Sequence, residues 1–257
     1  MRAACCEATV LSHEAVAADI RLLRVLWPDR EHLPHAGQFF TLRAWGADEA
    51  PFLSRPISVH KWEPQTQTVE FLYQVIGEGT QKLAALQQGD SFQLTGPMGN
   101  GFDIPALTQT YQKIAVVGGG IGTAPMYQVA RELAAAGCKP DVFFGFRDTP
   151  YCMEEYRSIA NVVKVSTDTG AVGFHGFVTQ LYDPADYDAV LVCGPTVMMK
   201  NAARLCAEKG TPCFVSLEKK MACGIGACLG CTCETKGGEG KSVCKNGPVF
   251  DATEVFF

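Results

Sequence analysis

The 257-residue sequence has no apolar run approaching the roughly eighteen residues that a membrane span needs, and none is expected. It has no excess of positive charge. Twenty-two Lys and Arg against 27 Asp and Glu leave a net charge of −5, which gives nucleic-acid binding no electrostatic support. Its opening, Met-Arg-Ala-Ala-Cys-Cys-Glu7, has one positive charge, an early acid and no apolar stretch behind them, so no secretory signal is expected. No internal repeat or low-complexity tract is visible. Histidine is scarce, five in all, and none lies beside the densest group of cysteines. That group has one clean C-x-x-C, whereas zinc prefers two Cys or His pairs. A disulfide scaffold does not suit a chain of this length without an export signal. Twelve cysteines in such a chain point to a reducing compartment, the cytoplasm.

What the sequence does have is Cys223-Gly-Ile-Gly-Ala-Cys228-Leu-Gly-Cys231, followed after twelve intervening residues by a distal Cys244. This is the C-x4-C-x2-C…C spacing of plant-type [2Fe–2S] ligands. Three thiolates on one short loop reach a cluster only if the loop curls around it. Gly224, Gly226 and Gly230 are expected to supply the unusual dihedrals, and backbone N–H groups to form a nest facing the sulfurs. Cys244 is expected to close the site from a later strand or turn. Cys233 is left out of the ligand set. Most of the other seven cysteines (Cys5, Cys6, Cys138, Cys152, Cys193, Cys206 and Cys213) are expected to be small buried side chains.

A hydrophobic share of 47% and a charged share of 19% describe an ordinary globular chain of one large or two smaller domains. Residues 1–105 read as short strands between Pro, Gly and Asp: Asp19–Leu26, Gln38–Arg43 and Ser91–Thr95. Val69, Phe71, Tyr73 and Val75 alternate with Glu70, Leu72 and Gln74, the period of a strand with one buried face. That half reads as a barrel or sandwich. From about 106 to 216 apolar strands (Ile114–Val117, Val142–Phe146, Val162–Ser166, Ala189–Cys193, Phe214–Val215) alternate with helical stretches (Ala124–Ala136, Val197–Glu208), the parallel α/β rhythm. Residues 217–257 form the cysteine-rich piece.

Gly118-Gly119-Gly120-Ile-Gly122 follows a strand and opens a helix, a context that favours a dinucleotide pyrophosphate over a merely tight turn. Its spacing departs from G-x-G-x-x-G. Cys193-Gly194-Pro195 ends a later strand and reads equally as a ligand contact or as a turn with a buried Cys. In Ser54-Arg55-Pro56-Ile57-Ser58, an Arg can hold a phosphate with its fork of donors, and Ser58, three positions on, adds a hydroxyl able to hydrogen-bond a ligand. Gly77-Glu-Gly79-Thr80 precedes the short helical stretch Gln81–Leu86 and suits a phosphate. His60 reads more readily as structural. Asp168, after a strand, reads as a ribose contact or a turn residue.

Arg55-Pro-x-Ser58, Gly79-Thr80, Gly96-Pro-Met-Gly99-Asn-Gly101-Phe, the Gly118–Pro125 turn and Cys193-Gly-Pro stand in the order seen in the ferredoxin–NADP reductase superfamily. With the cysteine tail, the chain resembles end to end the electron-transfer subunits of NAD-linked (class 1B) dihydroorotate dehydrogenases. The resemblance implies an antiparallel flavin-binding β-barrel (1–105), a parallel doubly wound NAD domain (106–216) and a C-terminal [2Fe–2S] module (217–257). It implies FAD, NAD and a [2Fe–2S] cluster as cofactors. The implied cofactor-binding residues are Arg55, Pro56, Ile57, Ser58, Tyr73, Gly79, Thr80, Gly119, Gly120, Gly122, Cys193, Gly194 and Pro195. Arg55 and Ser58 would contact FAD, and Gly79 and Thr80 its pyrophosphate; Cys223, Cys228, Cys231 and Cys244 would be the metal ligands.

These parts form an electron path. NAD(H) exchanges two electrons, the cluster takes one, and a flavin converts between them while the protein positions all three. No residue needs to act as a strong acid or base. The implied partner is a catalytic subunit holding FMN, which oxidises dihydroorotate to orotate in pyrimidine biosynthesis, within a cytoplasmic heterotetramer. A related NAD(P)H–ferredoxin or sulfur-compound reductase subunit, or a non-enzymatic redox sensor, would carry similar modules. Lys219, Lys220 and Lys245 flank the cysteine loop and are candidates for the rim of a docking surface.

Overall fold

The computed structural model describes residues 3–256. Seven antiparallel strands make the first sheet: β1 (Ala4–Ala15), β2 (Ile20–Leu26), β3 (Phe39–Arg43), β4 (Arg55–Ser58), β5 (Lys61–Glu63), β6 (Thr68–Gln74) and β7 (Ser91–Met98). Their order is β4-β3-β7-β1-β2-β6-β5, and β4 also lies against β6, so the sheet curls into a barrel-like shell. Inside it the rings of Trp27, Phe40 and Phe71 meet edge to face, with centroids 5.0 and 5.6 Å apart. This geometry suits the opposed charge of ring face and edge.

Strand β6 departs from the expectation of one buried face. Val69, Phe71 and Tyr73 fill the barrel as expected, but Glu70 and Leu72 on the opposite face are buried too. The reason is the neighbouring sheet. Leu72 joins Ile20, Leu22 and Ala124 in a small apolar cluster against the second half of the chain.

Helix α1 (Glu78–Ala84) follows β6, and α2 (Ile104–Thr110) leads out of the barrel. The second sheet contains β8 (Ile114–Gly119), β9 (Asp141–Phe146), β10 (Val162–Thr167), β11 (Phe174–His175), β12 (Ala189–Cys193) and β13 (Cys213–Ser216), all parallel. Helices α3 (Thr123–Ala135) and α4 (Thr196–Lys209) cross over between them. The order β11-β10-β9-β8-β12-β13 places the first strand centrally, so the winding reverses between β8 and β12. Ligands of doubly wound sheets bind in the crevice at that reversal. Both central strands are buried along their whole length, as expected of a sheet covered on two faces.

The tail forms a hairpin of β14 (Thr232–Glu234) and β15 (Gly240–Ser242), then a single helical turn α5 (Val243–Asn246). Strand β16 (Val249–Asp251) adds antiparallel to β13, so the tail extends the second sheet. Asn100 in the barrel's exit loop donates to the carbonyls of Lys245 and Asn246. Among the described residues, no helix is long and apolar enough to cross a membrane.

The seven cysteines outside the tail are less buried than expected. Cys193, Cys206 and Cys213 are buried, whereas Cys6, Cys138 and Cys152 are partly open and Cys5 is exposed. Cys5 lies on β1, whose N-terminal half alternates inward and outward residues, so its side chain points out.

Candidate functional site

Strand β4 forms one wall of a cavity of about 260 Å³, with Arg55, Pro56, Ile57 and Ser58 all on its lining. The Arg55 guanidinium lies 5.6 Å from the Trp45 ring and donates to the Leu53 carbonyl. A Cβ on Gly79 would sit 2.4 Å from Arg55 Nε, so the missing side chain lets the guanidinium rest on the first turn of α1. The N–H groups of that turn have no helical partners. Guanidinium and helix start therefore converge on one spot that suits a phosphate.

Two of the expected contacts take a different form. Helix α1 begins at Glu78, so Gly79 and Thr80 lie inside its first turn rather than before it. The Thr80 hydroxyl is committed to the turn, accepting from the N–H groups of Ile76 and Gly77 at 3.0 Å and donating to the Gly77 carbonyl at 2.8 Å. What Thr80 can offer a phosphate is its backbone N–H. Tyr73 lies on the cavity wall, but its side chain belongs to the barrel core and its hydroxyl meets His13 Nε2 at 3.0 Å. His13 Nδ1 faces the Leu86 carbonyl at 2.9 Å, so Nδ1 carries the hydrogen and the tyrosine donates to Nε2. Burial pushes the Tyr73 hydroxyl far above its ordinary range.

The glycine turn opens onto a second cavity of about 670 Å³ at the carboxyl ends of the parallel strands. Gly119, Gly120 and Pro195 line it, with Asp168 after β10 and Arg147, Lys200 and Arg204 as cations. Gly120 has φ +54° and nothing near where its Cβ would be, so its backbone faces open space. Gly122 serves a different purpose, since its Cβ would meet the Gly194 Cα at 2.5 Å. The two loops thus pack backbone on backbone. Asp168 both belongs to the Thr167–Gly170 turn and lines the cleft, so its two readings coexist.

Cys193, Gly194 and Pro195 divide between the cavities. Pro195 faces the larger one, whereas Cys193 faces the β4 cavity together with Ser216 and Glu218. Burial pushes the Cys193 thiol far up, and Glu218 adds to this while a hydrogen bond with Ser216 opposes it. The thiol therefore stays protonated at neutral pH. Desolvation by the cavity wall also raises the Glu218 carboxyl, although the residue as a whole keeps an exposed surface. Ser216 and Glu218 were not singled out from the sequence. The signal that finds them is their position at the end of β13, level with Cys193 at the end of β12.

The cysteine loop begins two residues after Met221, and Met221, Lys219 and Pro248 from the tail complete the wall of the β4 cavity. Gly224 and Gly226 have φ +70° and +80° as expected, but the third left-handed residue is Leu229 at +58°, not Gly230. Space is tight as well, since a Cβ on Gly224 would lie 2.5 Å from Met98 Sδ of the barrel. The N–H nest is present. Gly226 N points at Cys244 Sγ (3.1 Å), Cys228 N at Cys223 Sγ (3.4 Å) and Cys244 N at Cys231 Sγ (3.4 Å). Burial raises the Cys223 thiol, yet the N–H groups of Cys228, Ile225 and Ala227 and the Cys228 thiol outweigh it and bring it down to about 6.

Side-chain contacts sort the four thiols into two pairs, Cys223 with Cys228 and Cys231 with Cys244. Two pairs suit two irons, so the donor set fits a binuclear cluster. Cys244 comes from the single helical turn α5, in keeping with the expected later strand or turn. Cys233 turns its thiol to the Lys241 carbonyl at 3.4 Å, across the β14–β15 hairpin.

Comparison with known proteins agrees with this geometry. A family model described as the iron-sulfur cluster binding domain of dihydroorotate dehydrogenase B matches residues 218–256. The chain is 44% identical over 219 residues, 85% of each chain, to the electron transfer subunit of dihydroorotate dehydrogenase B (NAD(+)) of Clostridium acetobutylicum. It is 39% identical over 256 residues, 98% of each chain, to that of Caldanaerobacter subterraneus. Among solved structures, an NADH-dependent reduced ferredoxin-NADP oxidoreductase studied for flavin-based electron bifurcation superposes with a TM-score of 0.85 at 28% identity, covering 97% of this chain and 89% of the other. The chain belongs to the family of electron transfer subunits of NAD(+)-dependent dihydroorotate dehydrogenase B.

Proposed function

We propose that this chain carries electrons between NAD(H) and a partner subunit holding FMN, using FAD and a [2Fe–2S] cluster of its own, in support of dihydroorotate oxidation to orotate in pyrimidine biosynthesis. The observation that carries the reading is the shared wall of the β4 cavity. Barrel strand, glycine-turn helix and cysteine tail all line it through Ser58, Ala124 and Met221. When bound, the flavin and the cluster would supply exchange between a two-electron carrier and a one-electron carrier.

The chain's own residues bind and orient. Arg55 and the first turn of α1 hold the flavin's phosphates, with Gly79 making room for both. Ser58 and Tyr73 flank its ring. Gly119 and Gly120 admit a second nucleotide's pyrophosphate, and Cys193, as a neutral donor, faces the flavin cleft. Cys223, Cys228, Cys231 and Cys244 hold the cluster. We assign residues 1–105 to flavin, 106–216 to NAD and 217–257 to the cluster, the last built onto the second sheet through β16.

Dihydroorotate chemistry falls to another chain, because a flavin TIM barrel alone takes about 250 residues. The docking face is the rim of the cysteine loop. Cys228, Ile225 and Leu229 are exposed there, with Lys220 and Lys245 beside them. An apolar centre with a charged rim is the anatomy of a protein interface. Lys219 also lines the flavin cavity, which makes it a poorer reporter of docking. We place the protein in the cytoplasm, in keeping with its twelve cysteines.

The test is a visible spectrum before and after NADH, followed by two assays. The isolated chain should reduce ferricyanide with NADH and leave dihydroorotate untouched. Adding the FMN-containing partner should restore NAD-coupled dihydroorotate oxidation, and a reconstituted pair inert to dihydroorotate would refute the assignment. The likeness in shape to a ferredoxin-linked oxidoreductase favours a second reading, in which ferredoxin is the acceptor. Ferredoxin reduction at rates above those with the FMN partner would select it.

A further inference from the structure

Helix α3 starts at the glycine turn, and one side of it lies on the barrel. That side is hydrogen-bonded to the barrel at four positions, the backbone carbonyl of 124 and the side chains of 128, 131 and 132, which share one helical face. His60 Nδ1 donates to the Ala124 carbonyl at 2.7 Å. Trp62 N donates to Gln128 Oε1 at 2.9 Å. Arg131 donates to the Trp62 carbonyl at 3.0 Å and pairs with Glu63 at 3.2 Å. Glu132 Oε1 accepts from Ala36 N at 3.0 Å and from Gln128 Nε2 at 2.9 Å. His60 and Gln128 are 1% and 5% exposed, and the imidazole stacks on Tyr127 with centroids 5.0 Å apart.

Contacts between domains of one chain are ordinarily loose enough for relative motion. This seam is built differently. A buried hydrogen bond is directional and costly to leave unmade, so it fixes register in a way that apolar packing does not. Its two ends also abut the two clefts. Strand β4 ends at Ser58, two residues before His60, and Ala124 lines the same cavity as Ser58. On α3 the hydrogen-bonded face continues directly from the glycine turn.

We propose that His60 and Gln128 are positioning residues, locking the flavin strand to the dinucleotide helix so that the seam sets the separation of the two nucleotide sites. This rests on the reading of the two clefts given above. Neither residue touches a reacting atom. A displacement of about 1 Å in such an arrangement can cost about a hundredfold in rate while binding is kept.

The experiment compares His60→Leu, His60→Asn and Gln128→Met with the wild type. Asn keeps a donor where Nδ1 stood, whereas Leu and Met remove the seam bond. Flavin content, amide hydrogen exchange, and kcat and KM for NADH with ferricyanide are measured; two ferricyanide ions take the two electrons of each NADH. His60→Leu and Gln128→Met should keep their flavin and their KM, lose at least about tenfold in kcat, and exchange faster at residues 58–63 and 123–132 alone. His60→Asn should recover most of the rate and the protection. The idea is overturned by an unchanged kcat, by an Asn variant no better than Leu, or by rate loss that tracks flavin loss or faster exchange across the whole chain. A wild-type chain that neither holds flavin nor oxidises NADH would overturn the reading of the clefts instead, and would be seen before any variant is made.

Discussion

Acid should loosen this protein through one buried imidazole. His60 is held neutral because burial lowers its pKa to about 4; the Ala124 carbonyl and Glu70 act against this, and Lys61 and Arg24 with it. Glu155 is the nearest acid, 3.9 Å from Nε2, but with the ring neutral that contact is not an ion pair at pH 7. Glu155 itself has its carboxyl raised, by burial first. In the unfolded chain the imidazole returns to about 6.5. Between these values the unfolded state binds more protons, so stability rises with pH. The contribution is complete above about 6.5 and is lost as pH falls toward 4. From pH 7 to 4.5 the loss is about 2.5 kcal/mol, most of two pKa units at about 1.36 kcal/mol each. Urea unfolding of wild type and His60→Asn at both pH values isolates it, since carboxylate titrations such as that of Glu155 are common to the two proteins. The variant should lose about 2.5 kcal/mol less than wild type over that interval. Equal losses would refute the assignment of a buried neutral ring.

The remaining predictions concern the clefts and the tail. Replacing Cys223, Cys228, Cys231 or Cys244 by Ser should remove the cluster and spare the flavin, whereas Cys233→Ser should keep both; iron and acid-labile sulfide assays decide, and full cluster content in Cys244→Ser would overturn the ligand set. Arg55→Ala removes a charge-assisted contact worth about 1.5–3 kcal/mol, so FAD should dissociate at least about tenfold more readily; Gly79→Ala should do the same by displacing the guanidinium, and unchanged FAD affinity in both would show that Arg55 only packs. The raised Glu218 carboxyl makes its ionised form unfavourable in the folded chain, so its stabilising contribution is present at low pH and lost as pH rises through the folded pKa. Glu218→Gln should therefore raise the urea midpoint more at pH 8 than at pH 4, by a small amount because the residue is exposed, and a gain equal at both would argue against desolvation as the cause. Reversing the charge of Lys220 and Lys245 should slow coupled turnover with the FMN partner and leave dye reduction intact; dye reduction that falls in parallel would place these lysines in the flavin or NAD site.

Much of the architecture was legible because its signals are local. The alternation around Val69–Val75 announced a strand, and Ile114–Val117 running into glycines announced a strand, turn and helix. What was illegible depended on partners distant in sequence. Nothing within β6 says that Leu72 will be covered by Ala124. Thr80 reads as a phosphate donor until its hydroxyl is seen to close its own turn. In the cysteine loop the need for left-handed backbone was readable, but Leu229 takes a position that glycine chemistry would assign to Gly230. Ser216 and Glu218 carry no motif. They join the site only because β13 runs parallel to β12 and ends level with Cys193.

The pairing of β16 with β13 has a consequence for the protein without its metal. β13 would otherwise be the open margin of a parallel sheet, with a row of unsatisfied N–H and C=O groups and a buried Val215 beside them. A three-residue strand covers that margin and is itself too short to invite another chain, a known way of blunting a sheet edge. The same covering segment follows Cys244 by only a few residues and shares a core with it. Iron loss that slackens this segment should therefore uncover a template for strand addition between molecules. Metal starvation would then show itself as self-association, and the wall that the tail lends to the flavin cleft would slacken with it.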